Sequence, residues 1–335
     1  MAANPLNYWA MEFRGRPILI TGGAGFLGSH LCEEMVRQGA RVTVYDSTAR
    51  GKSRIQRLLD DEAIELIEAD LLDYEILLEA IKGKTFIWHL AANTDIPAGL
   101  SDTSLDLKNN VIVTHNLLEA MRKTGVTKVA FPSSGAIYGE KTSGFRSETQ
   151  GPTLPISLYG AGKLAGEAFI SAYSHLFGIQ AWIFRFGNVI GARIGHGCIL
   201  DFIKKLMANP NELEVLGDGT QTKSYFLVEE CIEGMQYVID HTEPQDNRDF
   251  CEVYNLGALD DTPVLEVAKI VIEEMGLKDT QIKIRGGQRG WPGDQAKIAL
   301  DISKIRTMGW KPKYTSTEAV RIAVRRMLEQ KHLYV

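Results

Sequence analysis

Tyr159 and Lys163 stand four positions apart in the stretch Tyr159-Gly160-Ala161-Gly162-Lys163. On a helix that spacing puts the phenol and the ammonium on one face, one above the other. Such a pair can move a proton. A free tyrosine titrates near 10, so drawing it toward 7 takes about 4 kcal/mol of preferential phenolate stabilisation, at about 1.36 kcal/mol per unit. A neighbouring ammonium can supply part of that. A bare Tyr-x-x-x-Lys is more often an ordinary helix face, so the rest of the chain must decide.

Several elements would have to position this pair. Pro17-Ile18-Leu19-Ile20-Thr21 reads as a buried parallel strand. It runs into Gly22-Gly23-Ala24-Gly25-Phe26-Leu27-Gly28 and then a helical pattern carrying Leu31, Met35 and Val36. Glycines there permit a tight turn, close backbone approach to a pyrophosphate and close helix packing, with the helix-start amides facing the anion. Arg41–Tyr45 is the next strand and ends in Asp46, 21 positions after Gly25. That is the spacing expected of the acid that binds the adenosine ribose, and it favours NAD over NADP, with Arg50 close enough to soften the preference. The positive charge of the oxidised nicotinamide would add to the pull of Lys163 on the phenol.

A third strand, Ile64 to Ile67, leads to Asp70-Leu71, where Asp70 either reaches the adenine or caps the helix before Tyr74. A fourth, Thr85 to Leu90, ends in Ala91-Ala92-Asn93, small residues that let a cofactor pass. After a long helix through Val111, Leu117, Leu118 and Met121, a fifth strand opens at Ser133-Ser134. Strands alternating with helices predict an α/β fold with a doubly wound, Rossmann-type parallel sheet that binds at the carboxyl ends of its strands.

Composition narrows the field. The 335 residues hold ample core, and a net charge of −5 gives no general basic field, so no nucleic-acid partner is expected. Cys32, Cys198, Cys231 and Cys251 form no C-x-x-C pair, which suits a reducing compartment and predicts neither a zinc site nor a disulfide framework. No metal is expected. No apolar run reaches the roughly 18 residues that span a bilayer, and Met1 to Arg16 lacks the pattern of a signal peptide. The expectation is a cytoplasmic protein with no membrane partner.

The order Gly22-x-x-Gly25-x-x-Gly28, Asp46, Asp70, Asn110, Ser134-x-x-x-Tyr138-Gly139, Tyr159-x-x-x-Lys163 resembles the extended short-chain dehydrogenase/reductase family. So do Arg185-Phe186-Gly187-Asn188 with Gly191, the turn Gly217-Asp218-Gly219-Thr220-Gln221, and Gly293-Asp294. Within that family the chain resembles the nucleotide-sugar 4-epimerases of the UDP-glucose 4-epimerase type. The resemblance implies Tyr159 as acid/base, Lys163 as its activator and ribose ligand, and Ser134 as partner of the reacting hydroxyl. It implies NAD held by Gly22, Gly25, Phe26, Leu27, Gly28, Asp46, Asp70, Leu71, Leu90, Ala91, Ala92 and Asn110, together with Tyr159 and Lys163. It further implies a nucleotide-diphosphate sugar contacted by Thr94, Ser134 and Asn188, and a homodimer through the helices after Ser101 and Tyr159.

Departures from the family pattern are equally informative. Relatives that eliminate water place an acid and a base directly after the serine; here Gly135 and Ala136 stand there, and neither moves a proton. Decarboxylating relatives have a glutamate at Ala136, and 3,5-epimerisation would want a Cys or Lys, for which His196 and Cys198 are better read as loop and core residues. Lys223 stands where an arginine commonly holds the diphosphate, and Trp291 where a second does, with Arg289 two residues earlier. Lysine neutralises phosphate without the bidentate fork, so Arg289 could reach the phosphate or Trp291 stack on a base. Ile298 occupies a gate position where a smaller side chain would admit N-acetylated sugars. Glu229-Glu230 reads as acids at a helix start, and Arg321, Arg325 and Arg326 as a solvated helix face.

The expected organisation is an NAD-binding domain over residues 1–186, to which a strand near 230–256 returns, and an interleaved, smaller C-terminal substrate-binding domain over 187–335, with the active site in the cleft between them. The expected activity is 4-epimerisation of a UDP-hexose, N-acetyl forms included, by hydride transfer to bound NAD, a 4-keto sugar, and return of the hydride to its other face. A dehydrogenase or reductase with net NAD turnover is the alternative. A non-catalytic NAD-sensing regulator fits poorly with an intact tyrosine and lysine.

Overall fold

The computed structural model describes residues 13–140, 144–242, 250–287 and 297–330, the last without the side chains of 297 and 298. Arg289, Trp291, Gly293 and Asp294 lie outside the described residues, as does the side chain of Ile298. The chain divides into two compact units.

The first unit takes residues 1–137, 155–185 and 235–254. Its centre is a seven-stranded sheet. Strands β1 (Pro17–Thr21), β2 (Arg41–Asp46), β3 (Ile64–Glu68), β4 (Phe86–His89), β5 (Lys128–Ser134) and β6 (Gln180–Phe186) are joined by the strand Cys251–Leu256. The order across the sheet is Cys251–Leu256, β6, β5, β4, β1, β2, β3. Neighbours from β3 to β5 run parallel, with Ile18 opposite both Val42 and Phe86. Order therefore reverses beside β1, and the carboxyl ends of β1, β4 and β5 open on one edge, where such sheets bind ligands.

Local sequence accounts for these strands. Ile18, Leu19 and Ile20 are fully buried, as are Phe86, Ile87 and Trp88, so both faces of the central strands are apolar. Helices cover the faces: α1 (Phe26–Arg37) follows β1, Val113–Thr124 follows β4, and Leu158–Phe177 precedes β6. Leu117, Leu118 and Met121 of the first connecting helix and Ile170 of the second pack on Ile87, Val129, Phe131 and Ile183 in one core. Ser157 caps the Leu158–Phe177 helix by accepting from Gly160 N–H at 3.1 Å, and Gly178 ends it in the left-handed conformation at φ 69°.

The second unit takes residues 138–154, 186–234 and 255–335. The segment Tyr138–Leu154, which the sequence reading kept with the nucleotide-binding half, belongs here, because its contacts are non-local: Tyr138 OH donates to Asn255 Oδ1 at 2.8 Å, and Arg146 N–H to Ala299 O at 2.9 Å. Short strand pairs and the helices Cys198–Ala208, Val264–Glu274 and Ser316–Glu329 surround a separate core that includes Phe202, Leu213, Val267 and Val324. A capping box, Thr315 with Glu318, starts the last helix. Its arginines are paired rather than merely solvated: Arg321 and Arg325 meet Glu274 at 2.6 and 2.7 Å, and Arg326 meets Glu229 at 2.8 Å. Glu229 and Glu230 occupy the first turn of the helix Val228–His241. Among the described residues no helix is long and apolar enough to cross a membrane.

Candidate active site

The glycine loop is shaped by close approach. Gly22 has φ +69°, and a Cβ there would stand 2.6 Å from Ala91 N. A Cβ on Gly28 would stand 2.2 Å from Gly22 O. Gly25 caps α1 without a side-chain hydrogen bond, and the first turn, which opens with Phe26 and Leu27, holds no acid. The helix-start amides are thus left to an outside anion. Asp46 closes the loop from β2: its carboxylate accepts from Ala24 N–H at 3.0 Å and Thr48 N–H at 2.8 Å. This cradle fits the pyrophosphate and ribose of NAD, and the acid is ill suited to a 2′-phosphate.

Asp70 does not cap the next helix. Its carboxylate accepts from Leu72 N–H at 2.9 Å in a two-residue turn, while Asp73 holds the capping position of Tyr74–Ile81. Its exposed side chain stays on the surface at the end of β3. Leu71 turns inward, and its carbonyl accepts from Asn116 Nδ2 at 3.0 Å.

Sequence reasoning missed His89, at the end of β4. Burial, with Lys163 nearby, pushes its imidazole down to about 3, so the ring is neutral. The hydrogen bonds around it can run in one direction. Thr114 OH donates to Asn110 O at 2.7 Å, so His89 Nε2–H donates to Thr114 at 3.0 Å. Bare Nδ1 then accepts from Thr21 OH at 2.8 Å, whose oxygen accepts from Ala91 N–H at 3.2 Å. Leu90 N–H donates to Thr21 O at 3.1 Å. Leu90 and Ala91 are thereby tied to β1, and Asn110 to the same chain from the π-helical turn Leu107–Ile112.

The reacting groups stand at the end of β5 and on the Leu158–Phe177 helix. Tyr159 lies close enough to Ser134 for the serine hydroxyl to favour its ionisation, and Ser134 Oγ accepts from Ala136 N–H at 3.1 Å. Lys163 Nζ donates to Pro132 O at 2.7 Å and lies 4.7 Å from the centre of the Phe131 ring. Burial draws Lys163 down to about 8, against Glu167 and Asp106, which favour its charge. Tyr159 departs from expectation: burial pushes its hydroxyl up to about 12, opposed by Ser134 and reinforced by Asp106. Ionisation near pH 7 therefore needs about 7 kcal/mol rather than 4, at about 1.36 kcal/mol per unit. The ammonium faces a backbone carbonyl and a ring, so the protein alone does not hold the phenolate.

Beneath Lys163, one helical turn on, Glu167 was also missed, although its i+4 spacing from Lys163 placed it on that face. It accepts from Ser133 OH and pairs with Arg185 Nη2 at 2.7 Å, with both partners buried. Arg185, a landmark of the resemblance, is thus an internal counter-ion. Removing one member of such a pair leaves an uncompensated buried charge, a cost of about 3–5 kcal/mol.

Of the substrate candidates, Thr94 lies partly buried in the loop after Ala92. Asn188 N–H and Nδ2 both donate to Ser224 O, at 3.0 and 3.3 Å, on the strand Asn188–Ile190. Lys223 lies on the strand Thr222–Lys223 after the Gly217–Gln221 turn, and its charge is felt by Cys198, which sits 3.2 Å from Tyr225 OH. His196 is an exposed loop residue and Cys198 packs against the second core.

Comparison with known proteins identifies the fold and family. A Methanocaldococcus jannaschii protein assigned by inference as a UDP-glucose 4-epimerase is 31% identical over 92% of this chain and 97% of its own length. A crystal structure of a UDP-galactose 4-epimerase is 36% identical, with a TM-score of 0.83 over 94% of this chain and 99% of that one. The UDP-glucuronic acid 4-epimerase of Bacillus cereus, solved with UDP-glucuronic acid and NAD, is 28% identical with a TM-score of 0.82 over 94% and 99%. The model of the NAD dependent epimerase/dehydratase family matches residues 18–257, from the first central strand past the Tyr159 helix to the returning strand. The chain belongs to the NAD dependent epimerase/dehydratase family.

Proposed function

We propose that this protein is an NAD-dependent nucleotide-sugar 4-epimerase acting on UDP-hexoses: glucose and galactose forms, or their N-acetyl counterparts. The observation that carries the reading is the hydroxyl pair Ser134–Tyr159, backed by buried Lys163, on the sheet edge where the glycine loop also opens. Among the relatives that share this fold are 4-epimerases solved with NAD, one of them with UDP-glucuronic acid as well.

Mechanistically, bound NAD would supply the hydride acceptor and donor for the sugar carbon. Gly22, Gly25, Gly28 and Asp46 would hold its pyrophosphate and ribose, and Ala91, Ala92 and Asn110 its inner wall. Tyr159 takes the proton of the sugar 4-hydroxyl as the carbon is oxidised, and gives it back on reduction. Ser134 donates to the oxygen as it becomes a carbonyl. Lys163 would keep a positive charge beside the reaction and donate to the ribose of the bound cofactor. Thr94, Asn188 and Lys223 would contact the sugar nucleotide, with Arg289 or Trp291 as further candidates from their sequence positions. Gly135 and Ala136 offer no group that could eliminate water, which favours epimerisation over dehydration.

The test is a panel of UDP-, dTDP-, GDP- and CDP-hexoses given to protein purified without added cofactor, with products separated as 4-epimers and absorbance followed near 340 nm. A 4-epimer without net NADH is the expected result. Steady NADH accumulation with added NAD would replace the reading with a dehydrogenase.

A homodimer belongs to the same reading. The Leu158–Phe177 helix exposes Leu158, Phe169 and Leu176, and beside it Leu107 and Ile112 are exposed as well. His115 and Phe169 rings stand 6.0 Å apart, so the two helices are neighbours, and their exposed apolar side chains suit packing against a second copy. Sedimentation should give a dimer that Phe169→Glu with Leu176→Glu converts to monomer; a monomeric wild type at micromolar concentration would remove this part. A cytoplasmic location is part of the reading too, supported by four free cysteines.

A further inference from the structure

Asp106 is a buried acid, 2% exposed, that the mechanism above leaves without a task. One of its oxygens, Oδ1, accepts from Asn93 Nδ2 at 2.9 Å and from Asn110 Nδ2 at 2.8 Å. Asn110 Oδ1 in turn accepts from Asn93 N–H at 2.8 Å, which closes a ring of three residues. Asn93 directly follows Ala91 and Ala92, and its Oδ1 accepts from Asp95 N–H at 3.1 Å. On the other side the ring touches the reacting helix: a Cβ on Gly162 would stand 2.9 Å from Asn110 Cβ. Gly162 lies between Tyr159 and Lys163, and its missing side chain is what admits Asn110.

The second carboxyl oxygen, Oδ2, is buried without a hydrogen-bond partner, 2.9 Å from where a Cβ on Gly99 would stand. An acid kept in that setting costs free energy unless its other oxygen has a purpose. A side chain that fixes two amides from elements 13 and 4 residues away has one. We infer that Asp106 is a positioning residue of this reaction: by gathering both asparagine amides on one oxygen it holds the Ala91–Asp95 loop against the helix that carries Tyr159 and Lys163. Burial raises its carboxyl, the two amide donors lower it, Asp95 raises it and Lys163 lowers it, so it is electrically coupled to the reacting groups as well.

The inference rests on the proposed function in taking Ala91, Ala92 and Asn110 as the wall of the NAD site and Tyr159 and Lys163 as the reacting groups. Asp106→Ala removes the acceptor and strands two buried amides, whereas Asp106→Asn keeps an Oδ1 for both and puts its amide where Oδ2 stands. In the purified enzyme, NAD retained per protomer and the rate of NAD loss are measured first, since they need no sugar. Turnover and KM follow. Asp106→Ala should lose NAD about tenfold faster and turn over about tenfold slower, with KM for the sugar within about twofold. Asp106→Asn should recover both. Unchanged NAD retention in Asp106→Ala, or an Asp106→Asn enzyme as impaired as it, overturns the inference. If Asp106→Ala does not fold, Gly162→Ala pushes on Asn110 while leaving the carboxyl intact, and NAD retention equal to wild type in that variant overturns it instead. A wild type that binds NAD but epimerises no sugar would refute the proposed function and leave the NAD comparison standing.

Discussion

Tyr159→Phe should stop turnover, with a loss of at least about 10³-fold, while the purified protein keeps its full complement of NAD. The ring stays in place and only the hydroxyl goes, so the residues proposed to hold the cofactor, Gly22, Gly28, Asp46 and Lys163, are left intact. Ser134 keeps its bond from Ala136 N–H. The wild-type rate should climb with pH until the cofactor-bound tyrosine is ionised. Burial lifts that hydroxyl to about 12 in the protein alone, so any limb found nearer neutrality measures what bound, oxidised NAD adds. The variant should lack the limb altogether. Near wild-type conversion by Tyr159→Phe, measured as 4-epimer formed per protomer, would end the proposed mechanism.

Gly28→Ala should empty the enzyme of NAD and lower its melting temperature. Propensity alone argues the opposite, since alanine in a helix is favoured over glycine by about 1 kcal/mol. Space decides otherwise. The added Cβ would meet Gly22 O at 2.2 Å and Gly23 Cα at 2.7 Å, both backbone atoms that no rotamer change can move. Either α1 backs away from the loop or the loop deforms, and in both cases the helix-start amides would lose the position proposed for holding the pyrophosphate. We expect NAD content after gel filtration to fall by about 100-fold, with a melting temperature several degrees lower by calorimetry. A variant that retains stoichiometric NAD would show that the glycine loop is not the pyrophosphate cradle.

The nucleotide-binding half was legible in the chain because its signals are local. A continuous apolar run is a buried strand wherever it occurs, which is why Pro17–Thr21 and Arg41–Asp46 stand where they were read. A glycine spacing that only a tight turn needs lies in one short stretch, and Asp46 follows from the length of one helix and one strand. Tyr159 and Lys163 share a face because helical geometry demands it. Tertiary structure decided the rest, since its causes join residues far apart in the chain. Asp106 reaches Asn93 across 13 positions, His89 reaches Thr21 across 68, and Tyr138 reaches Asn255 across 117, which moves the segment after Tyr138 into the second unit. The same limit explains the tyrosine. Sequence spacing correctly gave it a lysine on its own face, but how deeply a phenol is buried, and whether the ammonium turns toward it or toward Pro132 O, depends on the strand and ring packed against that face.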